Sequence, residues 1–314
     1  MTTRVAHPHP RVAVMQMGYD RYGPEGGHRY TLEQNGTLMD QYLGQAGDQG
    51  ADLVIAPECW VRVGLDKIDV EQLAVAIPGD NPIYNLFAAR ARRHHMSVVG
   101  WAYERDGKDK YNTAFVIGPD GNYLGKYRKT HPVPGEETQG QGIRPGNAFP
   151  VFDLPLGRIG IMICFDNYFP EVSRILAVKG ARLICYPTMN SPRLSLETRA
   201  AARAIDNGCY VACSVLMGYR LGEGSAAIYD PRGETIAGSG SRDGVVTAEI
   251  DLTHPYPMAF VPNSETCPGA DRHQLLLAAR RPEIYGELLN PAQLGTPNGP
   301  GTNPGPTPEN PNRA

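Results

Sequence analysis

Two distant stretches of this chain follow one pattern, and the repeat limits what it can fold into. Thr113-Ala114-Phe115-Val116-Ile117-Gly118-Pro119-Asp120-Gly121-Asn122-Tyr123-Leu124 is an apolar run, a Pro-x-Gly turn and a returning run. Ser225-Ala226-Ala227-Ile228-Tyr229-Asp230-Pro231-Arg232-Gly233-Glu234-Thr235-Ile236 does the same. Each is a hairpin signature, and each ends a matching series. The first series has buried strands at 12–17, 52–58 and 97–103, with helical stripes over 30–47 and after Asn81-Pro82. The second has strands at 159–164, 182–187 and 209–215, with helices at 170–179 and 196–206. Two β-α-β-α-β-β units predict two sheets with helices on their outer faces, a four-layer α-β-β-α sandwich of the α/β class.

Residues 144–153 lead straight into the second series, so one domain over 10–251 is expected rather than two joined by a linker. Residues 252–289 read as a less regular C-terminal extension with a helical patch at 275–281. From 290 to 314 the chain is Pro, Gly, Asn and Thr with almost nothing apolar, the composition of a disordered tail. The net charge of −3 and the lack of a basic cluster argue against nucleic acid or an anionic membrane as partner. No apolar run approaches the ~20 residues of a spanning helix. Residues 1–10 are polar and proline-broken, without a signal-peptide core, so the cytoplasm is the expected location.

Six cysteines, at 59, 164, 185, 209, 213 and 267, are too scattered for the framework of a small secreted domain. Cys209 and Cys213 share one face of a strand, but no second ligand pair lies nearby to complete a zinc site. His94-His95 closes a basic helix end, which suits the helix dipole better than a metal. No metal and no organic cofactor is expected.

Cys164 is placed differently. The run 158–164 is of strand length, a polar turn follows, and Pro170-Glu171 opens a helix. A cysteine at such a junction feels a helix amino terminus, which favours thiolate over thiol. Glu58 likewise follows a strand and Lys129 follows a hairpin. In open α/β sheets, reactive groups gather beyond the strand carboxyl ends. A thiol, a carboxylate and an ammonium there form a complete chemical set: nucleophile, proton acceptor and oxyanion stabiliser.

These residues also carry a resemblance. Gly50-Ala51-Asp52-Leu53-Val54-Ile55-Ala56-Pro57-Glu58, Gly125-Lys126-Tyr127-Arg128-Lys129-Thr130-His131, and Gly160-Ile161-Met162-Ile163-Cys164-Phe165-Asp166 with Phe169-Pro170-Glu171 resemble, in order, the three signatures of the nitrilase superfamily of carbon–nitrogen hydrolases. The resemblance covers about residues 10–251, with a further family-like 281–285. It implies Glu58 as general base and acid, Lys129 as oxyanion stabiliser, Cys164 as nucleophile and the Phe165 N–H as second oxyanion donor. It also implies a second glutamate in the loop after the lysine. The aliphatic amidase spacing of eight residues makes this Glu137, with Glu136 one position away. The loop departs from the family in having Pro132 where a leucine commonly follows the histidine.

The implied reaction is hydrolysis of a small linear amide or N-carbamoyl amine through a thioester, releasing ammonia. Phe165-Asp166 after the cysteine differs from the Trp-Glu of true nitrilases, favouring amides over nitriles. Asn167 and Tyr168 stand where carbamoyl-D-amino-acid hydrolases carry arginines, and the segment is closer to that of carbamoylputrescine-type amidases. Trp60, Tyr168 and Asn190 are candidate pocket residues, with Cys59, Met189 and Arg193 on the same loops. A nitrile hydrolase and a non-catalytic scaffold are the rival readings. The family resemblance also implies a homo-oligomer, a dimer or higher.

Overall fold

The computed structural model describes residues 9–18, 31–62, 69–136, 142–189, 193–217, 225–240, 242–253, 256 and 271–289. The chain divides into two compact units, residues 1–278 and 279–314. Within the second, Pro282–Ile284 and Gly286–Leu289 form short 3-10 turns. The tail expected at 290–314 lies outside the described residues.

The first unit alternates strands and helices as the repeat requires. Its opening half runs β1 (Arg11–Met17), α1 (Leu32–Asp48), β2 (Leu53–Ile55), α2 (Val70–Leu73), α3 (Pro82–His94), β3 (Ser97–Asp106), β4 (Asp109–Ile117) and β5 (Tyr123–Arg128). The other half runs β6 (Val151–Leu154), β7 (Gly157–Ile161), α4 (Pro170–Val178), β8 (Leu183–Met189), α5 (Arg193–Asn207), β9 (Tyr210–Leu216), β10 (Ala227–Tyr229) and β11 (Thr235–Gly238). Two further elements, β12 (Gly244–Glu249) and α6 (Arg272–Ala278), complete the unit.

Strand order is β12-β1-β2-β3-β4-β5 in one half and β6-β7-β8-β9-β10-β11 in the other. The expected two sheets are hydrogen-bonded into a single path, because β1 pairs in parallel with β9 at Gln16↔Val215 and Met17↔Leu216. Ser214 reinforces that seam, accepting from the Met15 N–H (3.0 Å) and donating to the Ile55 carbonyl (2.7 Å). Helices α1 and α3 pack together beside the first half, and α4 and α5 beside the second. The mixed α/β architecture is the four-layer sandwich.

The internal repeat extends to individual hydrogen bonds. Gly118 and Asn122 close the first hairpin, Gly118 N to Asn122 O (2.8 Å), as Asp230 N to Glu234 O (2.9 Å) closes the second. Gly121 (φ 80°) and Gly233 (φ 81°) supply the left-handed residue that each turn needs. The register shifts between Val116 and Ile117 in one copy and between Ile228 and Tyr229 in the other.

Local sequence explains the helix limits. Thr31 and Gln34 form a reciprocal capping box at the start of α1 (3.1 and 2.8 Å). Asn81 caps α3 through the Tyr84 N–H (2.9 Å), and Pro82 occupies the first turn. The break in the apolar stripe of α1 at Asn35 has a purpose: its buried amide donates to the Val61 carbonyl (3.0 Å), steadying the segment after Glu58. Among the described residues no helix is long and apolar enough to cross a membrane.

The cysteine pair at 209 and 213 remains as free thiols. Cys209 lies against His273 of α6 (3.2 Å) and the Ala181 carbonyl (3.1 Å), contacts that help to anchor α6.

Candidate active site

Strand β2 ends at Ile55, and Ala56 still donates to the Val99 carbonyl (2.9 Å) before the chain releases Glu58. Strand β5 ends at Arg128, and the Lys129 N–H is held by the Asn112 carbonyl (2.8 Å). Both side chains are almost wholly buried, 3% exposed for Glu58 and 1% for Lys129. Lys129 Nζ donates to Glu58 Oε1 (3.0 Å) and to Glu136 Oε2 (2.9 Å). Asn112 Nδ2 donates to the same two carboxylates (2.7 and 2.9 Å), while its Oδ1 accepts from Trp101 Nε1 (2.7 Å). Glu136 Oε2 also accepts from the Val133 N–H (2.8 Å). Two carboxylates therefore share one ammonium and one amide, each oriented by several bonds.

Cys164 opens a five-residue 3-10 turn, Cys164–Tyr168, after β7. Its backbone is left-handed (φ 47°), a strained conformation for a non-glycine residue that re-aims the side chain at the strand end. The Tyr186 hydroxyl holds the Cys164 carbonyl (3.0 Å), and the thiol points to the Met189 carbonyl (3.5 Å). The turn's first bond runs from Asp166 N to Ile163 O (3.0 Å), so the Cys164 and Phe165 N–H groups have no partner within it.

Asp166 joins this turn to the lysine segment. Its Oδ2 accepts from the Tyr127 hydroxyl (2.7 Å) and the Ile163 N–H (2.8 Å). Its Oδ1 accepts from Thr130 Oγ1 (3.1 Å), the His131 N–H (3.1 Å) and His131 Nδ1 (2.9 Å). Tyr127, Thr130 and His131 flank Lys129, whereas Ile163 and Asp166 flank Cys164. One fully buried carboxylate thus locks the two halves of the site in register. His131 also stacks on Phe169 (ring centroids 4.0 Å apart), so it braces the turn.

The electrostatics at the thiol run against the thiolate that a helix amino terminus favours. The α-helix begins only at Pro170, and the short turn before it offers little dipole. Burial pushes the Cys164 thiol up to about 12, Glu58 raises it further and Lys129 opposes the rise. Cys164 retains partial solvent access although its sulfur is surrounded by protein atoms. Burial pulls the ammonium of Lys129 down, but the charges of Glu58, Cys164 and Glu136 outweigh that and hold it well above its usual range. Chemically, the site sets a thiol raised by burial beside a carboxylate acceptor and a fixed cation, so attack calls for transfer of the thiol proton.

Of the two adjacent glutamates considered for the loop, Glu136 makes contacts with Lys129 and Asn112, and Glu137 lies outside the described residues. Trp60, expected at the pocket, is in the core, 1% exposed, bonded to the Trp101 carbonyl (2.9 Å) and edge-on to Phe87. Tyr168 is exposed beside the turn. Asn190 is outside the described residues. Sequence reasoning assigned no role to Asn112 or Trp101 and read Asp166 only as part of a signature. Asn112 and Asp166 had the signal of polar residues set in apolar strand or turn sequence, where burial demands a partner.

A four-layer α-β-β-α sandwich with a cysteine, glutamate and lysine gathered beyond its strand ends is the architecture of the nitrilase superfamily. The chain belongs to the carbon–nitrogen hydrolase family, whose model matches residues 11–258. The omega-amidase of Bos taurus is 34% identical over 233 residues, 70% of this chain and 83% of its own length. That of Homo sapiens is 32% identical over 232 residues, 69% of this chain and 83% of its own length. Among solved structures, an amidase from Nesterenkonia sp. superposes with a TM-score of 0.69 at 22% identity, over 90% of this chain and 98% of that one. The Caenorhabditis elegans NitFhit protein does so at 0.65 and 27% identity, over 79% and 62%.

Proposed function

We propose that this chain hydrolyses small linear amides, N-carbamoyl amines included, through a Cys164 thioester. The observation that carries the reading is the buried ammonium of Lys129 shared between Glu58 and Glu136, with its charge and that of Glu58 both acting on the Cys164 thiol. The relatives named as omega-amidases support an amide rather than a nitrile.

Glu58 takes the thiol proton as sulfur attacks the carbonyl carbon. The resulting oxyanion is held by Lys129 Nζ and the Phe165 N–H. As the tetrahedral intermediate collapses, Glu58 returns the proton to the departing nitrogen, and ammonia leaves from a primary amide. A water then loses its proton to Glu58, attacks the thioester and restores the thiol, giving the carboxylic acid. Glu136 and Asn112 orient Glu58 and Lys129 throughout.

Ammonia release from a panel of short amides, ω-amides and carbamoyl amines tests this, with Cys164→Ala and Glu58→Gln as controls. Wild-type release with loss of roughly a hundredfold or more in each variant is expected, as for removal of a nucleophile or general base. Release that survives Cys164→Ala would overturn the mechanism. A homo-oligomer belongs to the same proposal, supported by the exposed apolar Val178, Leu194 and Ile205 on α4 and α5. The five free thiols among the described residues support a reducing, cytoplasmic setting.

A further inference from the structure

Strand β8 ends beside the nucleophile and carries a hydroxyl with nothing to bond. Residues two apart in a strand share a face, so Tyr186 and Thr188 point the same way. Tyr186 shows which way that is, since its hydroxyl donates to the Cys164 carbonyl (3.0 Å). Thr188 is fully buried, and its Oγ1 makes no hydrogen bond. The residue after it supplies the Met189 carbonyl to which the thiol points (3.5 Å). Thr188 therefore belongs to the wall against which the nucleophile rests.

A buried hydroxyl without a partner is costly, and a core seldom keeps one without a use. The electrostatics of the site supply the use. Against the rise that burial and Glu58 impose on the Cys164 thiol, Lys129, a backbone bond at Met189 and the Thr188 hydroxyl pull downward. Lys129 is committed to Glu58 and Glu136, whereas the Thr188 hydroxyl is committed to nothing. While the sulfur is protonated it is a donor, served by the Met189 carbonyl, and a second donor beside it gains little. Once the proton leaves, the sulfur is an anion that only accepts. The carbonyl then repels it, and a hydroxyl able to rotate becomes the better neighbour.

We propose that Thr188 is a further catalytic residue, whose hydroxyl turns to the Cys164 sulfur whenever that sulfur carries negative charge. The role rests on Cys164 as the nucleophile. Charge appears on the sulfur twice. In the first step the thiol proton passes to Glu58 as the S–C bond forms. In the second, water adds its hydroxyl to the thioester carbon and its proton goes to Glu58. The C–S bond then breaks, its electron pair returns to sulfur, and Glu58 returns the proton. Thr188 donates a hydrogen bond to sulfur in both steps and keeps its own proton throughout. Because that bond is absent at rest, losing the hydroxyl costs the fold nothing and slows the reaction.

The test compares wild type with Thr188→Val, which keeps the shape and loses the hydroxyl, and Thr188→Ser, which keeps the hydroxyl. The thermal midpoint is read, with kcat and KM on the best amide and the rate of iodoacetamide alkylation at Cys164, located by peptide mass. Thr188→Val is expected to melt no lower than wild type, since it removes a buried polar group that has no partner. Its kcat should fall roughly 10- to 100-fold, the worth of a hydrogen bond to a charged group, with KM within about twofold. Alkylation of Cys164 at neutral pH should slow several-fold, because less thiolate is present. Thr188→Ser should recover most of both rates.

Unchanged alkylation in Thr188→Val, whatever its kcat, would overturn the role, as would a Thr188→Ser protein as slow as Thr188→Val. A clearly lower midpoint in Thr188→Val would overturn it too, since the hydroxyl would then serve the fold. In each case ammonia release that still needs Cys164 leaves the amidase reading standing. Alkylation that depends on Thr188, with no amide turned over by wild type, would support the hydroxyl's role at sulfur and count against the amidase reading instead.

Discussion

Replacing Asp166 by Asn tests whether one buried carboxylate holds the site together. The substitution keeps shape and removes charge, turning one acceptor oxygen into a donor. In the milder orientation the new amide replaces Oδ2 and faces the Tyr127 hydroxyl and the Ile163 N–H, which now donate at 2.7 and 2.8 Å. The hydroxyl can rotate and accept, but the Ile163 N–H is buried and fixed, so it loses its partner. One lost bond to a charged acceptor is worth about 1.5–3 kcal/mol and an orphaned donor costs about 1–3 kcal/mol, which sums to roughly 3 kcal/mol or more. For a chain of this size that lowers the melting midpoint by roughly 6–12 °C. Because Ile163 precedes the nucleophile, the Cys164 turn should also shift, and a displacement of about 1 Å costs on the order of a hundredfold in rate. The assay is thermal unfolding together with kcat/KM on the best amide, with exposed Asp153→Asn as a control that removes only a surface pair to Arg158. An Asp166→Asn protein that melts within about 1 °C of wild type, as harmless surface changes do, and keeps its activity would refute the clamp.

Three further outcomes follow from the electrostatics and packing. The thiols of Cys59, Cys164, Cys185, Cys209 and Cys213 all sit above the ordinary 9.0 through burial. As pH rises past about 9, the unfolded chain releases protons that the fold retains, so thiol titration lowers stability on the alkaline side only. The melting midpoint should fall between pH 8 and pH 10, and a rise across that interval would contradict the assignment. Alkylation of Cys164 by iodoacetamide should climb with pH without levelling off near neutrality; a plateau below pH 8 would mean a preformed thiolate. In Gly146→Ala, the added Cβ would stand 2.2 Å from the Arg128 carbonyl oxygen, beside the Lys129 carbonyl that accepts from Gly146 N (2.8 Å). A loss of about 1–3 kcal/mol and a displaced lysine are expected, read as a lower melting midpoint and lower kcat.

The amino-acid sequence alone determined the layer order and singled out three candidate reactive positions, because both are written in local signals. Apolar periodicity marks each strand and helix, Asn81-Pro82 and Pro170 mark helix starts, and the Pro-x-Gly turns recur with the same register shift in both halves. Glu58, Lys129 and Cys164 stand out because each ends an element. Only the tertiary structure decided what surrounds them. Asn112 and Asp166 act across 54 and 36 positions, to Glu58 and Thr130, and no periodicity encodes a side chain's partner at that range. The same distance governs two further points. Whether Glu136 or its neighbour reaches Lys129 depends on how a proline-rich loop folds back. Whether the cysteine is ionised depends on burial and on the Glu58 charge, which the isolated motif does not contain.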